Sequence, residues 1–147
     1  MDYAKQIHRL DDAITQVSVY LSYTSSHSDM SKTGEEAKRT AIAILNKISA
    51  SQSAINAIQS VSFDSSQQDF FFGRNYNTAD VRNESRCNAY RQSINAIINI
   101  LKQERERLVK EQADEEQKRS KQMAKWTLIF SAIAAICAII SVVLAIF

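Results

Sequence analysis

The chain has no proline and only two glycines, Gly34 and Gly73, among 147 residues. Hairpins and tight strand turns draw heavily on those two residues, so their scarcity argues against a sheet-based fold and predicts an all-α one. It also excludes a glycine-rich phosphate loop or a dinucleotide-binding fingerprint. Histidine is confined to His8 and His27 and cysteine to Cys87 and Cys137, with no CxxC pair. That leaves no metal-ligand set and no disulfide framework. One cysteine falls in the polar part and the other inside an apolar run, the usage expected of a reducing compartment. No nucleophile with a neighbouring base can be picked out, so the expectation is a protein that is not an enzyme and uses no cofactor.

Charge of one sign is also lacking over most of the chain. Residues 1–101 hold ten basic and ten acidic side chains, and no basic face with interleaved aromatics occurs, which argues against nucleic acid as a partner. Residues 102–125 differ, because 14 of these 24 are charged. Glu106 with Lys110, Asp114 with Lys118 and Glu115 with Arg119 stand at i and i+4 in the favourable order, as on a solvated helix.

The most informative stretch is C-terminal to these charges. Residues 126–147, WTLIFSAIAAICAIISVVLAIF, carry no charge, and twelve of them are Leu, Ile, Val or Phe. As a helix they extend roughly 33 Å, enough for a hydrocarbon core about 30 Å thick. Lys118, Arg119, Lys121 and Lys125 precede the run, and by the positive-inside rule they keep the N-terminal part in the cytosol. Trp126 and Phe147 mark the two interfaces. Residues 1–25 contain no apolar run fit for a signal peptide. The expectation is a tail-anchored, single-pass protein of a plasma or bacterial inner membrane.

Within the run, Thr127, Ser131, Ala134, Ala138, Ser141 and Ala145 recur at 4-3-4-3-4 spacing and are all small. Such a heptad lets spans approach closely and exchange hydroxyl hydrogen bonds, which predicts a homo-oligomer. Two simpler accounts stand beside it: hydroxyls bonding their own i−4 carbonyls, and alanine being common in spans. A stricter form of the idea turns the hydroxyls toward a water-filled path, though no intramembrane charge marks an ion route.

Ahead of residue 102, three amphipathic helices are predicted. The first covers residues 3–23, with Asp2 as cap and Tyr3, Ile7, Leu10, Ile14, Val17 and Leu21 on one face. A polar loop, TSSHSDMSKTG, comes next. The second helix begins near Gly34 and runs to about Val61, with Ala37, Ala41, Ile44, Ile48, Ser51, Ile55 and Ile58 on its stripe. Residues 62–77 show no periodicity and read as a loop. The third helix opens near Thr78 with Cys87, Tyr90, Ile94, Ile97, Ile98 and Leu101 inward, and no stop signal before the C-terminus; beyond Leu101 its stripe fades into charge. Unbroken, it measures roughly 105 Å. The expected architecture is therefore a small cytosolic three-helix bundle (1–101), a charged helical stalk (102–125) and a transmembrane helix (126–147). Its core is thin, and self-association would supply part of its stability.

Two further features stand out. Phe70, Phe71 and Phe72 sit in the polar loop, where they close the open end of the bundle, dock into a partner or a second copy, or form a wedge that touches lipid. Arg74, Arg82, Arg86 and Arg91 gather near the start of the third helix, where guanidinium forks can hold an anion, with Asp80 and Glu84 as the simpler partners. Arg82-Asn83 resembles the first half of the HEPN ribonuclease signature, but Tyr90 and its neighbours stand where the catalytic histidine belongs, so no such activity is implied. The expected partners are membrane lipid, a second copy of the chain and a cytosolic protein or trigger. In layout the chain resembles the small pore-forming or membrane-perturbing effectors of bacterial defence and toxin systems. The alternative is a tail-anchored adaptor that recruits a cytosolic partner.

Overall fold

The computed structural model describes residues 2–22, 27–63 and 78–146, with side chains throughout except at 27–29, 78–83 and 142–146. Every described element is helical: α1 (Tyr3–Val19), a single 3₁₀ turn (Tyr20–Ser22), α2 (His27–Lys47), α3 (Gln52–Ser60) and α4 (Thr78–Ile146). The chain divides into two compact units, Met1–Val109 and Lys110–Phe147. The segment predicted as a loop, with Phe70, Phe71, Phe72 and Arg74, lies outside the described residues.

Helix α1 forms where the apolar spacing places it. The Asp2 carboxylate accepts the Lys5 N–H at 3.2 Å, occupying one of the first-turn donors that a helix leaves unpaired. Leu10, Ala13 and Val17 are fully buried, with Tyr3, Ile7 and Ile14 packed beside them.

The expected second helix is two helices, and it starts earlier. Helix α2 begins at His27, inside the stretch TSSHSDMSKTG that the Ser and Thr content assigns to a loop, and Met30 is already buried. It stops at Lys47 with Ser49 at φ 53°. The Ala50 N–H donates to the Leu45 carbonyl at 3.0 Å and the Ser49 N–H to the Asn46 carbonyl at 3.3 Å, the paired bonds of a Schellman motif. This stop is usually glycine, and a serine there leaves no sequence signal. A fresh N-cap comes at once, since Ser51 Oγ accepts the Ala54 N–H at 3.3 Å. Ser51 is thus a cap and not part of an apolar stripe. The inward face of α2 also differs by one position: Leu45 is fully buried and Ile44 only half-buried.

Gly34 lies well inside α2. A Cβ there would collide with the ring of Phe63, so the residue is small because an aromatic ring needs the space. Phe63 stacks at a tilt on Tyr90 of α4, ring centroids 5.8 Å apart, and the Tyr90 hydroxyl donates to the Tyr20 carbonyl at 3.0 Å. On α4, Ile94, Ile97, Ile98 and Leu101 are buried, and the stripe continues past Leu101 to Leu108, with Glu104 in the intervening inward position.

Glu104 is 4% exposed and fully engaged. Its Oε1 accepts the Ser51 N–H at 2.9 Å and its Oε2 the Ser51 hydroxyl at 3.2 Å. Arg107 donates to both oxygens, at 2.7 and 3.1 Å. Burial pushes the carboxyl up, but these hydrogen bonds and the guanidinium charge outweigh it and hold the group below the ordinary carboxylate range. A second tie, from Arg105 Nε to Asp11 Oδ1 at 2.6 Å, joins α4 to α1 at a half-exposed position and contributes little beyond register.

Glu104→Ala leaves the Ser51 N–H without its acceptor and should cost about 2 kcal/mol in chemical denaturation, with Glu104→Gln costing roughly half. Because the folded-state pKa is depressed, the wild-type contribution is whole at neutral pH and fades as pH falls through the ordinary carboxylate range toward the lower folded value. That acid-side slope should flatten in Glu104→Gln. Separately, Gly34→Ala should destabilise by about 1 kcal/mol despite the better helix propensity of alanine. In a Phe63→Ala background the same change should become stabilising, and a thermal-melt double-mutant cycle reads the reversal.

Candidate functional site

The part of the chain that departs from a folded, water-soluble domain is the C-terminal portion of α4. Among the described residues one helix is long and apolar enough to cross a membrane, and none of its apolar window is buried. Phe130 is 64% exposed and Ile136 57%, with Leu128, Ile129, Ile133, Ile139 and Ile140 also open. An uninterrupted apolar surface of this extent is costly in water and marks a lipid or protein contact. The helix persists because its backbone bonds close within the segment, which is the condition for spanning hydrocarbon. Trp126 and Phe130 lie against one another, ring centroids 6.1 Å apart, where the polar and apolar parts of the helix meet.

At about 100° per residue, Thr127, Ser131, Ala134, Ala138 and Ser141 fall within an arc of about 80° on this helix. Ile129, Ile133, Ile136 and Ile140 occupy the opposite side, within about 60°. The segment therefore has a small-residue face and a bulky face. Two hydroxyls of the small face are engaged locally: Thr127 donates to the Met123 carbonyl at 3.0 Å and Ser141 to the Cys137 carbonyl at 2.9 Å. Their oxygen lone pairs can accept, but their protons are committed to the helix itself. The side chain of Ala145 lies outside the described residues.

Ahead of the apolar segment in sequence, Lys118, Arg119, Lys121 and Lys125 are all exposed on α4. Lys118, Lys121, Gln122, Lys125, Trp126 and Ile129 line one shallow groove along its surface. Of the arginines near the start of α4, Arg86 is partly buried and Arg91 exposed; the side chains of Asp80 and Arg82 lie outside those described. Cys87 and Cys137 are both free thiols. Among the described residues no three His, Cys, Asp or Glu side chains are grouped so as to hold a metal ion.

The polar group that periodicity alone passes over is Glu104, which in the sequence is one of many stalk charges. Its signal lies in the 3-4-3-4 run of Ile94, Ile97, Leu101, residue 104 and Leu108: a carboxylate on an inward line between leucines needs an internal partner. Compared with protein-family models, with curated proteins and with solved structures, the chain matches none of them.

The apolar segment gives a direct test. Expressed in full, the chain should sediment with membranes and resist alkaline carbonate, whereas a chain ending at Gln122 should remain in the supernatant with a helical circular dichroism spectrum. Recovery of the full chain in the supernatant would assign the apolar face to a protein contact in water.

Proposed function

We propose that this is a non-enzymatic, single-span membrane protein that inserts residues 126–147 into a bilayer, self-associates through the small face of that helix and acts on the membrane itself. The N-terminal unit stays on the cytosolic side, held there by Lys118, Arg119, Lys121 and Lys125. The observation that carries this reading is the division of one fully exposed apolar helix into a small-residue face and an isoleucine face. Lipid removes the hydrophobic incentive for helices to pair, so close approach over small residues is what remains to hold copies together. A plain anchor has no need of the division. A ring of such helices perturbs or perforates a bilayer when the cytosolic unit is triggered, the mode of action of small membrane effectors in bacterial defence and toxin systems.

A second reading, an anchored adaptor that brings a cytosolic partner to the membrane, is favoured by one specific observation. The hydroxyl protons of Thr127 and Ser141 are spent within their own helix, which leaves less for bonds between copies.

The two readings separate on leak. Reconstituted full-length protein should release dye from liposomes, and its mass in mild detergent should be a multiple of 16.6 kDa. Ala138→Leu and Ser131→Leu keep or improve insertion while blocking close approach, so both should abolish leak and lower the detergent mass with membrane fractionation unchanged. Ile136→Leu, on the opposite side, should change neither. A wild-type chain that is strictly monomeric and never leaks belongs to the adaptor reading.

A further inference from the structure

The bulky side of the apolar helix and the lysine groove lie on the same side of α4. Taking Ile136 as reference and about 100° per residue, Lys118 falls in line with it, Lys125 about 20° and Lys121 about 60° to one side, and Ile129 about 20° to the other. The small face of Thr127, Ser131 and Ala138 is turned away. From Trp126, Lys125 stands about 1.5 Å along the axis, Lys121 about 7.5 Å and Lys118 about 12 Å. A bilayer about 40–45 Å thick with a hydrocarbon core of about 30 Å leaves roughly 5–7 Å of headgroup per leaflet. With Trp126 at the hydrocarbon edge, the ammonium groups of Lys125 and Lys121 therefore sit at phosphate depth, and Lys118 reaches it from just outside.

The local charge pattern favours an anion beside Lys121 and Lys125. No acidic residue occurs after Glu116. The i±3 and i±4 neighbours of Lys121 are Gln117, Lys118, Ala124 and Lys125, and those of Lys125 are Lys121, Gln122, Leu128 and Ile129. Lys118 with Lys121 and Lys121 with Lys125 are thus like-charge pairs at helical contact spacing, which are destabilising without a counterion. All three line the groove together with Gln122, Trp126 and Ile129. Farther from the apolar segment the pattern is the reverse, with Asp114 and Glu115 placed at i−4 from Lys118 and Arg119.

We infer that Lys121 and Lys125, with Lys118 and Trp126, form a binding face for the headgroup phosphate of anionic phospholipids, whose acyl chains lie along Ile129 and Ile133 as far as Ile136, about 15 Å from Trp126 and so at the midplane. The lipid is held at both ends on one side of the helix, leaving the small face for a second copy. The inference rests on insertion of residues 126–147. It goes beyond topology, since a positive-inside flank needs no particular side of the helix and no anionic lipid.

Trp126 is the only tryptophan in the chain and lines the groove, so it reports on its own lipid neighbours. Full-length protein is reconstituted in phosphatidylcholine vesicles containing a small fraction of acyl-brominated phosphatidylglycerol or, in parallel, acyl-brominated phosphatidylcholine, and quenching of Trp126 is compared at equal mole fraction. Wild type should show enrichment of the anionic lipid by roughly fivefold per lysine engaged, about 25-fold for Lys121 and Lys125 together. Enrichment should shrink with added salt and persist in 10 mM inorganic phosphate at matched ionic strength. Lys118→Gln/Lys121→Gln/Lys125→Gln should bring the ratio to near unity, Lys121→Arg/Lys125→Arg should retain it, and Lys102→Gln/Lys110→Gln should leave it unchanged. Equal quenching by the two lipids overturns the proposal while leaving insertion intact, because quenching by the brominated phosphatidylcholine itself establishes that Trp126 is at the bilayer. Loss of enrichment in the Lys102/Lys110 variant, or its abolition by phosphate at matched ionic strength, also overturns it, in favour of a diffuse field or a free-ion site. Absence of quenching by either lipid removes the membrane reading and this face with it.

Discussion

One unbroken helix, α4, carries three successive kinds of surface. From Thr78 to Ile146 the chain offers no glycine or proline at which α4 can stop, so its side chains alone must change the meaning of its surface along the way. Up to Leu108 an inward apolar line is buried against α1, α2 and α3. From residue 110 the surface is charged and largely open, and over residues 126–141 it is apolar and open. Each change is a change of side-chain chemistry on a constant backbone, which is possible because an α-helix satisfies its own hydrogen bonds in water and in hydrocarbon alike.

The N-terminal unit is assembled around that helix by a few directed contacts added to a modest apolar core. The core relies on Ala13, Ala37, Ala41 and Ala54 as well as larger residues, so helix faces meet closely but each contributes limited apolar area. Specific polar contacts then define how the elements meet. Glu104 receives the N-terminus of α3 through Ser51, Gln6 donates to the Ile48 carbonyl at the end of α2 at 3.2 Å, and Tyr90 reaches the Tyr20 carbonyl. All three satisfy backbone groups at helix ends, where the helix itself supplies no partner. A thin core tolerates few unpaired polar groups, and buried side chains do here what longer apolar helices do elsewhere.

In the C-terminal unit the distribution of side chains around the helix matters more than their average polarity. The small residues and the isoleucines occupy opposite sides, and the lysines nearest the apolar segment lie on the isoleucine side. Under the proposed function, such a helix presents one chemistry to lipid and another to a second copy, and this arrangement would separate the two without any loop or second element. The hydroxyls of Thr127 and Ser141, bonded within their own helix, keep the small face closer to a packing surface than to a polar one.

Much of this was legible in the primary structure, because it depends on local repetition. The all-helical class comes from the near absence of glycine and proline, α1 from its apolar spacing and Asp2, and the long α4 from the lack of any stop. The apolar character of residues 126–147 is a matter of composition, and the two faces of that segment are set by helical spacing once the helix is granted. Tertiary structure decided the rest. The break between α2 and α3 uses Ser49 at positive φ, a conformation that serine seldom takes and that surrounding contacts must hold. The early start of α2 depends on burying Met30, which outweighs the preference of its serines and threonine for a loop. Gly34 looked like a boundary and is instead the space for Phe63, brought near from 29 positions away. Glu104 looked like one stalk charge among many and is buried against Ser51, 53 positions earlier. Spacing along a helix states which residues share a face, but only the approach of distant elements determines what that face meets.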